Sequence, residues 1–218
     1  MAADDWAGID HYLEERLLPH DALLDAVISA NRAAGLQAID VSPLLGRYLE
    51  LLVRITGARR ILEIGTLGGY SAICMARALP SGGTLETLEV DPETAAVACG
   101  NIAQAGLAET VRVHVGPALE TLETLSGPYD FIFIDADKRN NARYLERAVA
   151  LSRPGTVILV DNVVRAGALT DPAKTDPHTA GNRSMFEALR DHPRLEATAL
   201  QTVGVKGWDG FMMARVRG

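Results

Sequence analysis

Several functional classes are set aside by what the sequence lacks. Cysteine is scarce: Cys74 and Cys99 are the only two in 218 residues. Both fall in helical patterns with no CxxC spacing, so free buried thiols are expected rather than a disulfide or a zinc site. No apolar run is long enough to span a bilayer. The opening Met-Ala-Ala-Asp-Asp-Trp is acidic where a secretion signal would be basic and then apolar, so a cytoplasmic protein is the simplest reading. Positive charge is in deficit, with 21 Lys and Arg against 28 Asp and Glu and a net charge of −7. Nucleic acid is therefore not expected as the main partner, because phosphate binding needs a basic face and Arg59-Arg60 is too short to make one. The length suits one α/β domain over residues 1–218, with a helical arm at 1–57 and a core at 58–218.

Residues 4–34 read as two amphipathic helices. Asp4 or Asp5 is a candidate cap for the first, Pro19 interrupts the pattern, Asp21 restarts it and Gly35 stops it. Ser42-Pro43 opens a third helix as N-cap and N1, with Leu44, Leu45, Tyr48, Leu49, Leu52 and Val53 on its apolar face and Gly57 at its end. From Arg60 the pattern alternates. Strands are predicted at 60–64, 84–89, 111–115, 130–134 and 156–160, and helices near 70–79, 92–105, 117–124 and 140–151. That rhythm implies a parallel sheet with helices on both faces. Residues 163–180 hold no period and read as a long functional loop. A helix at about 182–191 and strands at 195–201 and 209–216 follow, the two strands forming an antiparallel pair.

The chemistry collects where two buried strands end. Asp130-Phe131-Ile132-Phe133-Ile134 runs into Asp135-Ala136-Asp137-Lys138, and Thr156-Val157-Ile158-Leu159-Val160 runs into Asp161-Asn162. Charges avoid an apolar interior, so both sets belong at strand ends. Either pair alone can be an ordinary turn. Together Asp135, Asp161 and Asn162 supply hard oxygen donors of the kind that Mg²⁺ or Ca²⁺ takes.

A second cluster surrounds Ile61-Leu62-Glu63-Ile64-Gly65-Thr66-Leu67-Gly68-Gly69-Tyr70-Ser71, a strand, a glycine turn and a helix start. Its spacing is not the G-x-G-x-x-G of dinucleotide enzymes. Glu63 would repel a pyrophosphate and suit an ammonium group. Glu89 closes the next strand, near the place where an acid binds ribose hydroxyls. A cofactor with a ribose, a cationic end and no required phosphate fits, and S-adenosylmethionine answers that description better than NAD. The plainer reading of Glu63 and Glu89 is a pair of solvated strand-end charges. Val113-His114-Val115-Gly116-Pro117-Ala118 ends the third strand, with Ala118 placed to lie against an adenine and His114 read as structural.

In this order LEIGTLGGYS, EVDPE, VGPAL, YDFIFIDADK and VDN resemble the cation-dependent O-methyltransferases, of the caffeoyl-CoA and catechol type, from about Val41 to the C-terminus. The resemblance implies an α/β fold, a Rossmann-like seven-stranded and mostly parallel sheet with a reversed last strand, helices on both faces and the N-terminal helical arm. It implies Val41, Glu63, Gly65, Thr66, Ser71, Glu89, Ala118 and Asp137 around S-adenosyl-L-methionine. Asp135, Asp161 and Asn162 would hold a divalent cation, Mg²⁺ first and Mn²⁺ or Ca²⁺ as alternatives, and Lys138 would be the base. Leu44-Leu45 stands where plant members carry acidic residues. The 163–180 loop and Val205-Lys206-Gly207-Trp208 do not match their acyl-CoA-binding segments, which leaves the acceptor open.

The expected reaction moves a methyl group to a hydroxyl of a small aromatic with vicinal hydroxyls, a cation lowering the hydroxyl pKa and fixing its position. A non-catechol hydroxyl, or donor binding without catalysis, are the alternatives. His178 and Arg165 on the long loop and Trp208 are candidates for the acceptor wall, and His11 and Tyr12 read as structural or interfacial. The arm carries more apolar surface than one small sheet needs, so a homodimer is expected.

Overall fold

The computed structural model describes residues 4–218. The arm is three helices. α1 (Asp4–Leu17) contains both Asp4 and Asp5, and the positions ahead of it, where a cap would stand, lie outside the described residues. α2 (Ala22–Ala33) starts as expected, with the Asp21 carboxylate accepting from Leu24 N–H at 3.1 Å. α3 (Pro43–Thr56) has Ser42 as its cap and Pro43 in the first turn, where a missing N–H costs nothing. Gly57, at φ +63°, ends it in a left-handed conformation that a glycine adopts without strain.

Seven strands form one sheet: β1 (Arg60–Ile64), β2 (Thr84–Glu89), β3 (Val111–Val115), β4 (Tyr129–Ile134), β5 (Ser152–Asp161), β6 (Leu195–Gly204) and β7 (Gly207–Val216). Their order is β3-β2-β1-β4-β5-β7-β6, and β7 runs antiparallel to both β5 and β6. The remaining contacts are parallel. The chain builds outward from β1 to β3 on one side and from β4 on the other. The order therefore reverses between β1 and β4, and a crevice opens beyond their carboxyl ends, where ligands of such sheets bind.

Helices α4 (Tyr70–Ala76), α5 (Pro92–Gln104), α6 (Ala118–Thr124), α7 (Asn141–Ala150) and α8 (Pro177–Leu189) complete the fold. Ile61, Phe131, Phe133, Leu159 and Phe211 point to one face, against α3, α4 and α5. Leu62, Ile64, Ile132, Ile134, Val160 and Met212 point to the other, against α6, α7 and α8. Burial on both faces is why β4 reads as an unbroken apolar run rather than an alternation. Among the described residues no helix is long and apolar enough to cross a membrane.

The structure departs from expectation in several places, α4 among them, which ends at Ala76 with Arg77 as its C-cap. β5 begins at Ser152, four residues early, because Ser152 pairs with Tyr129 across an irregularity in the register. α8 begins at Pro177, with the Asp176 carboxylate accepting from His178 and Thr179 N–H, so the irregular segment ends sooner than expected. β6 and β7 are joined by Val205-Lys206 alone, which puts Trp208 in a strand rather than a loop. Cys74 is buried as expected but Cys99 is exposed.

Candidate functional site

The glycine turn sits at the point where the sheet order reverses. Gly65 N–H donates to Leu88 O at 3.0 Å, and Asp135 N–H donates to Ile64 O at 2.8 Å. Gly65 has φ +100°, and a Cβ there would run into the Asp135 carbonyl. Only glycine lets the ends of β1 and β4 close on each other. Leu67 is itself left-handed, at φ +48°, and its N–H donates to Glu89 Oε2 at 2.9 Å. Glu89 also accepts from Asp91 N–H at 3.1 Å, so it braces the turn from the end of β2. It is more than a solvated strand-end charge.

Glu63 is fully buried. Ser71 Oγ donates to its Oε1 at 2.5 Å and Thr87 Oγ1 to its Oε2 at 2.6 Å. Thr66 Oγ1 lies 2.6 Å from Thr87 Oγ1. With Thr87 donating to the carboxylate, Thr66 donates to Thr87, and three hydroxyls converge on one acid. Burial raises the Glu63 pKa to about 8 against the pull of these hydrogen bonds, and the nearby Asp135 and Glu89 raise it further. A cation would reverse that balance, which is what a buried acid beside a glycine turn can offer a positively charged ligand.

At the ends of β4 and β5 the carboxylates meet. Lys138 is buried, and its Nζ donates to Asp135 Oδ1 at 2.6 Å. Asp161 is buried too, with Asn162 N–H donating to its Oδ1 at 2.8 Å. Burial first, then the Asp135 charge, push Asp161 up to about 7, while Lys138 pulls it down. A buried carboxylate raised by a second carboxylate nearby, beside one lysine, belongs to a donor set that a divalent cation suits. No group of three or more His, Cys, Asp or Glu is gathered among the described residues. The third candidate donor is the amide of Asn162, held at φ +55° by Asn182 Nδ2, which donates to its carbonyl at 3.1 Å. Asn141 Nδ2 in turn donates to Asn182 Oδ1 at 2.7 Å.

Asp137 is oriented by Tyr144 OH at 2.5 Å and Asn140 Nδ2 at 2.8 Å, which leaves it at the rim with a fixed direction. Val41 is buried just ahead of α3, and Ala118 is the first residue of α6, beyond the end of β3. His114, as expected, is structural: its Nε2 lies 2.7 Å from Glu86, which Tyr129 OH also reaches at 2.7 Å. His178 lies in the first turn of α8 and Trp208 on β7. A Cβ on Gly167 would touch the Trp208 ring at 2.9 Å, so the indole covers the loop backbone. The irregular loop is tied down by Arg183, which donates to Leu169 O at 3.0 Å, Lys174 O at 2.7 Å, Ala168 O at 2.8 Å and Asp171 O at 2.6 Å.

Sequence reasoning missed Thr87, Asn182 and Asp209. Thr87 alternates with Glu86 on β2 like any strand residue. Asp209 Oδ1 accepts from Val164 and Arg165 N–H at 3.0 and 2.9 Å, across 45 and 44 positions, and no local pattern announces such a contact.

Comparison with known proteins gives this geometry a family. The model of a family described as O-methyltransferase matches residues 18–216. A catechol O-methyltransferase of Mycobacterium tuberculosis is 48% identical over 210 residues, covering 96% of this chain and 95% of that one. A catechol O-methyltransferase of Niastella koreensis is 46% identical over 214 residues, covering 96% and 97%. The solved O-methyltransferase of Bacillus cereus, in complex with SAH, superposes with a TM-score of 0.97 at 51% identity, over 99% of this chain and 100% of that one. The chain belongs to the O-methyltransferase family, as an enzyme of the S-adenosylmethionine-dependent kind.

Proposed function

We propose that the chain is a divalent-cation-dependent O-methyltransferase of catechol-like acceptors, working as one domain and as a homodimer. The observation that carries this reading is the set Asp135, Lys138, Asp161 and Asn162 beside the glycine turn, with Lys138 and Asp161 buried and Asp135 and Asn162 half-buried. Binding the methyl donor alone has no need of it. The names of the relatives from M. tuberculosis and N. koreensis point the same way.

Asp135, Asp161 and Asn162 would hold the cation, with Mg²⁺ the first choice because all three offer oxygen. Bound there, it would supply Lewis acidity that lowers an acceptor hydroxyl pKa. Glu63, Gly65, Thr66, Ser71, Glu89, Ala118, Asp137 and Val41 would line the donor site. Glu63 offers a carboxylate to positive charge, Glu89 keeps acceptor lone pairs for ribose hydroxyls, and the bare Gly65 backbone permits close approach. Lys138 would act as the base in its neutral form, after releasing one ammonium proton to solvent, with Asp135 holding its Nζ in position. Alignment of the acceptor oxygen with the methyl group is worth about 7–11 kcal/mol in well-oriented reactions, so the scaffold matters as much as the base.

The test is methyl transfer from labelled S-adenosylmethionine to a catechol panel, with Mg²⁺ and with EDTA, for wild type and Asp161→Ala. Expected is turnover that chelation abolishes and that the variant lowers at least about a hundredfold, by analogy with lost ligands and their supports. Turnover of a monohydroxy substrate surviving chelation would move the reading to a non-catechol hydroxyl.

A further inference from the structure

A buried amide on the arm joins two of the segments that would line the donor site. Asn31 lies in the last turn of α2 and is 2% exposed. Its Nδ2 donates to Asp40 Oδ1 at 2.8 Å, and its Oδ1 accepts from Asn101 Nδ2 on α5 at 2.9 Å. Asn101, buried as well, also donates to Gly68 O at 2.9 Å. A Cβ on Gly68 would stand 1.9 Å from Asn31 Oδ1, so the bare backbone of the glycine turn is what admits the amide.

The other side of this contact is a strap. Residues 34–42 join α2 to α3 without helix or strand, mostly exposed, and carry Asp40 next to the buried Val41. Leu36 N–H donates to Asn31 O at 3.0 Å, and Lys206 Nζ donates to Ile39 O at 3.0 Å and to Asp40 O. Leu24, Val27 and Ile28 already pack α2 on the core. An amide buried there costs free energy unless its partners are in place, and in return it selects one arrangement of the groups it joins. Here those groups are the strap and the turn.

We propose that Asn31 is a positioning residue for the methyl donor, setting Val41 against the glycine turn through its contacts to Asp40 and Gly68. This rests on the donor site read above, with Val41 and the turn on its wall. A donor that needs the strap seated has an apparent Kd that rises in inverse proportion to the seated fraction. Asn31→Asp sets one carboxylate against another and unseats the strap. Adding Asp40→Asn reverses the direction of the hydrogen bond, with the amide now donating from position 40, and leaves Asn101 its acceptor.

The experiment is calorimetric titration with S-adenosylmethionine of wild type, Asn31→Asp, Asn31→Ala, the double variant Asn31→Asp with Asp40→Asn, and Glu89→Ala, with the Tm of each. Kd is read apart from stoichiometry, so a fraction that fails to fold lowers the number of sites and leaves the affinity measurable. Expected is a Kd about tenfold higher in Asn31→Asp, about threefold or more higher in Asn31→Ala, and restored to within about threefold of wild type in the double variant. A Kd unchanged in both single variants at position 31 overturns the assignment even where Tm falls, because the amide then holds α2 and nothing more. So does a loss that the double variant leaves unrepaired. Glu89→Ala checks the site itself. Unchanged affinity there would overturn the donor-site reading and the assignment with it, whereas affinity lost in Glu89→Ala and kept at position 31 overturns the assignment alone.

Discussion

Glu63 ties the protein's stability to pH. Its carboxyl ordinarily titrates at 4.5, and in the folded chain burial moves that to about 8. Between those values the unfolded chain has released the proton and the folded chain still holds it. The folded state binds more protons there, so stability falls as pH rises through the window and levels above it. Asp161, also raised by burial, acts in the same direction. In chelated, donor-free protein, Glu63→Gln should reduce the fall of Tm between about pH 4.5 and 8, as thermal unfolding across a buffer series would show. An equally steep fall in the variant would mean that Glu63 is ionised throughout. Gly65 makes a second residue-scale case. Gly65→Ala adds a methyl group at φ +100° against the Asp135 carbonyl, a strained overpacking that costs about 1–3 kcal/mol. The ends of β1 and β4 should part, and donor affinity measured by calorimetry should drop at least tenfold; unchanged affinity would sink the role given to the turn.

Elements carry the next level of the argument, and the loop after β5 shows how. Asn162, Arg165, Ala166 and Gly167 all have positive φ, and three of them are not glycine. Such backbone persists only where the surroundings hold it. Asp209 does that from β7, accepting from Val164, Arg165 and Gly210 N–H at 3.0, 2.9 and 2.9 Å. Asp209→Ala removes the acceptor shared by three donors and should cost about 1–3 kcal/mol. Denaturant unfolding would measure that loss, and if the loop positions Asn162, Mg²⁺ affinity should weaken alongside. The same contact marks the limit of what the sequence makes legible. β1, β2 and β3 are readable to the residue because short stretches that mix apolar with polar residues lie between turn signals such as Gly65, Gly82-Gly83, Pro92 and Gly116-Pro117. The α8 start is missed although Asp176-Pro177 uses the device read correctly at Ser42-Pro43, because Thr, Pro and His around it look like loop. Asp135, Asp161, Asn162 and Lys138 are legible as strand-end polar residues. Thr87 and Asp209 are not, since their importance lies in partners 24 and 45 residues away.

At the scale of the molecule, exposed apolar side chains gather on the arm and the last hairpin, with Val90 and Val115 exposed apart from them. Ile9, Tyr12 and Leu17 on α1, Leu51 and Ile55 on α3, and Leu200, Val203 and Val205 on the last hairpin are all exposed large apolar residues. These elements are neighbours, since Asp10 of α1 holds the hairpin at Val205 and α1 also contacts α3. Isolated exposed apolar residues are ordinary, but a set gathered on adjoining elements marks an interface. The arm thus has two sides, one closing over the sheet and one facing outward, and a second copy of the chain is the partner that the homodimer reading assigns to the outward side. Sedimentation at micromolar protein should give twice the chain mass. Ile55→Glu, placing a charge where the side chain is 77% exposed in the single chain, should leave the monomer's Tm within about 0.5 kcal/mol of equivalent stability while moving the mass towards one chain. A wild-type mass of one chain at these concentrations would remove the dimer. It would also leave the exposed faces of α1, α3 and the hairpin without that partner.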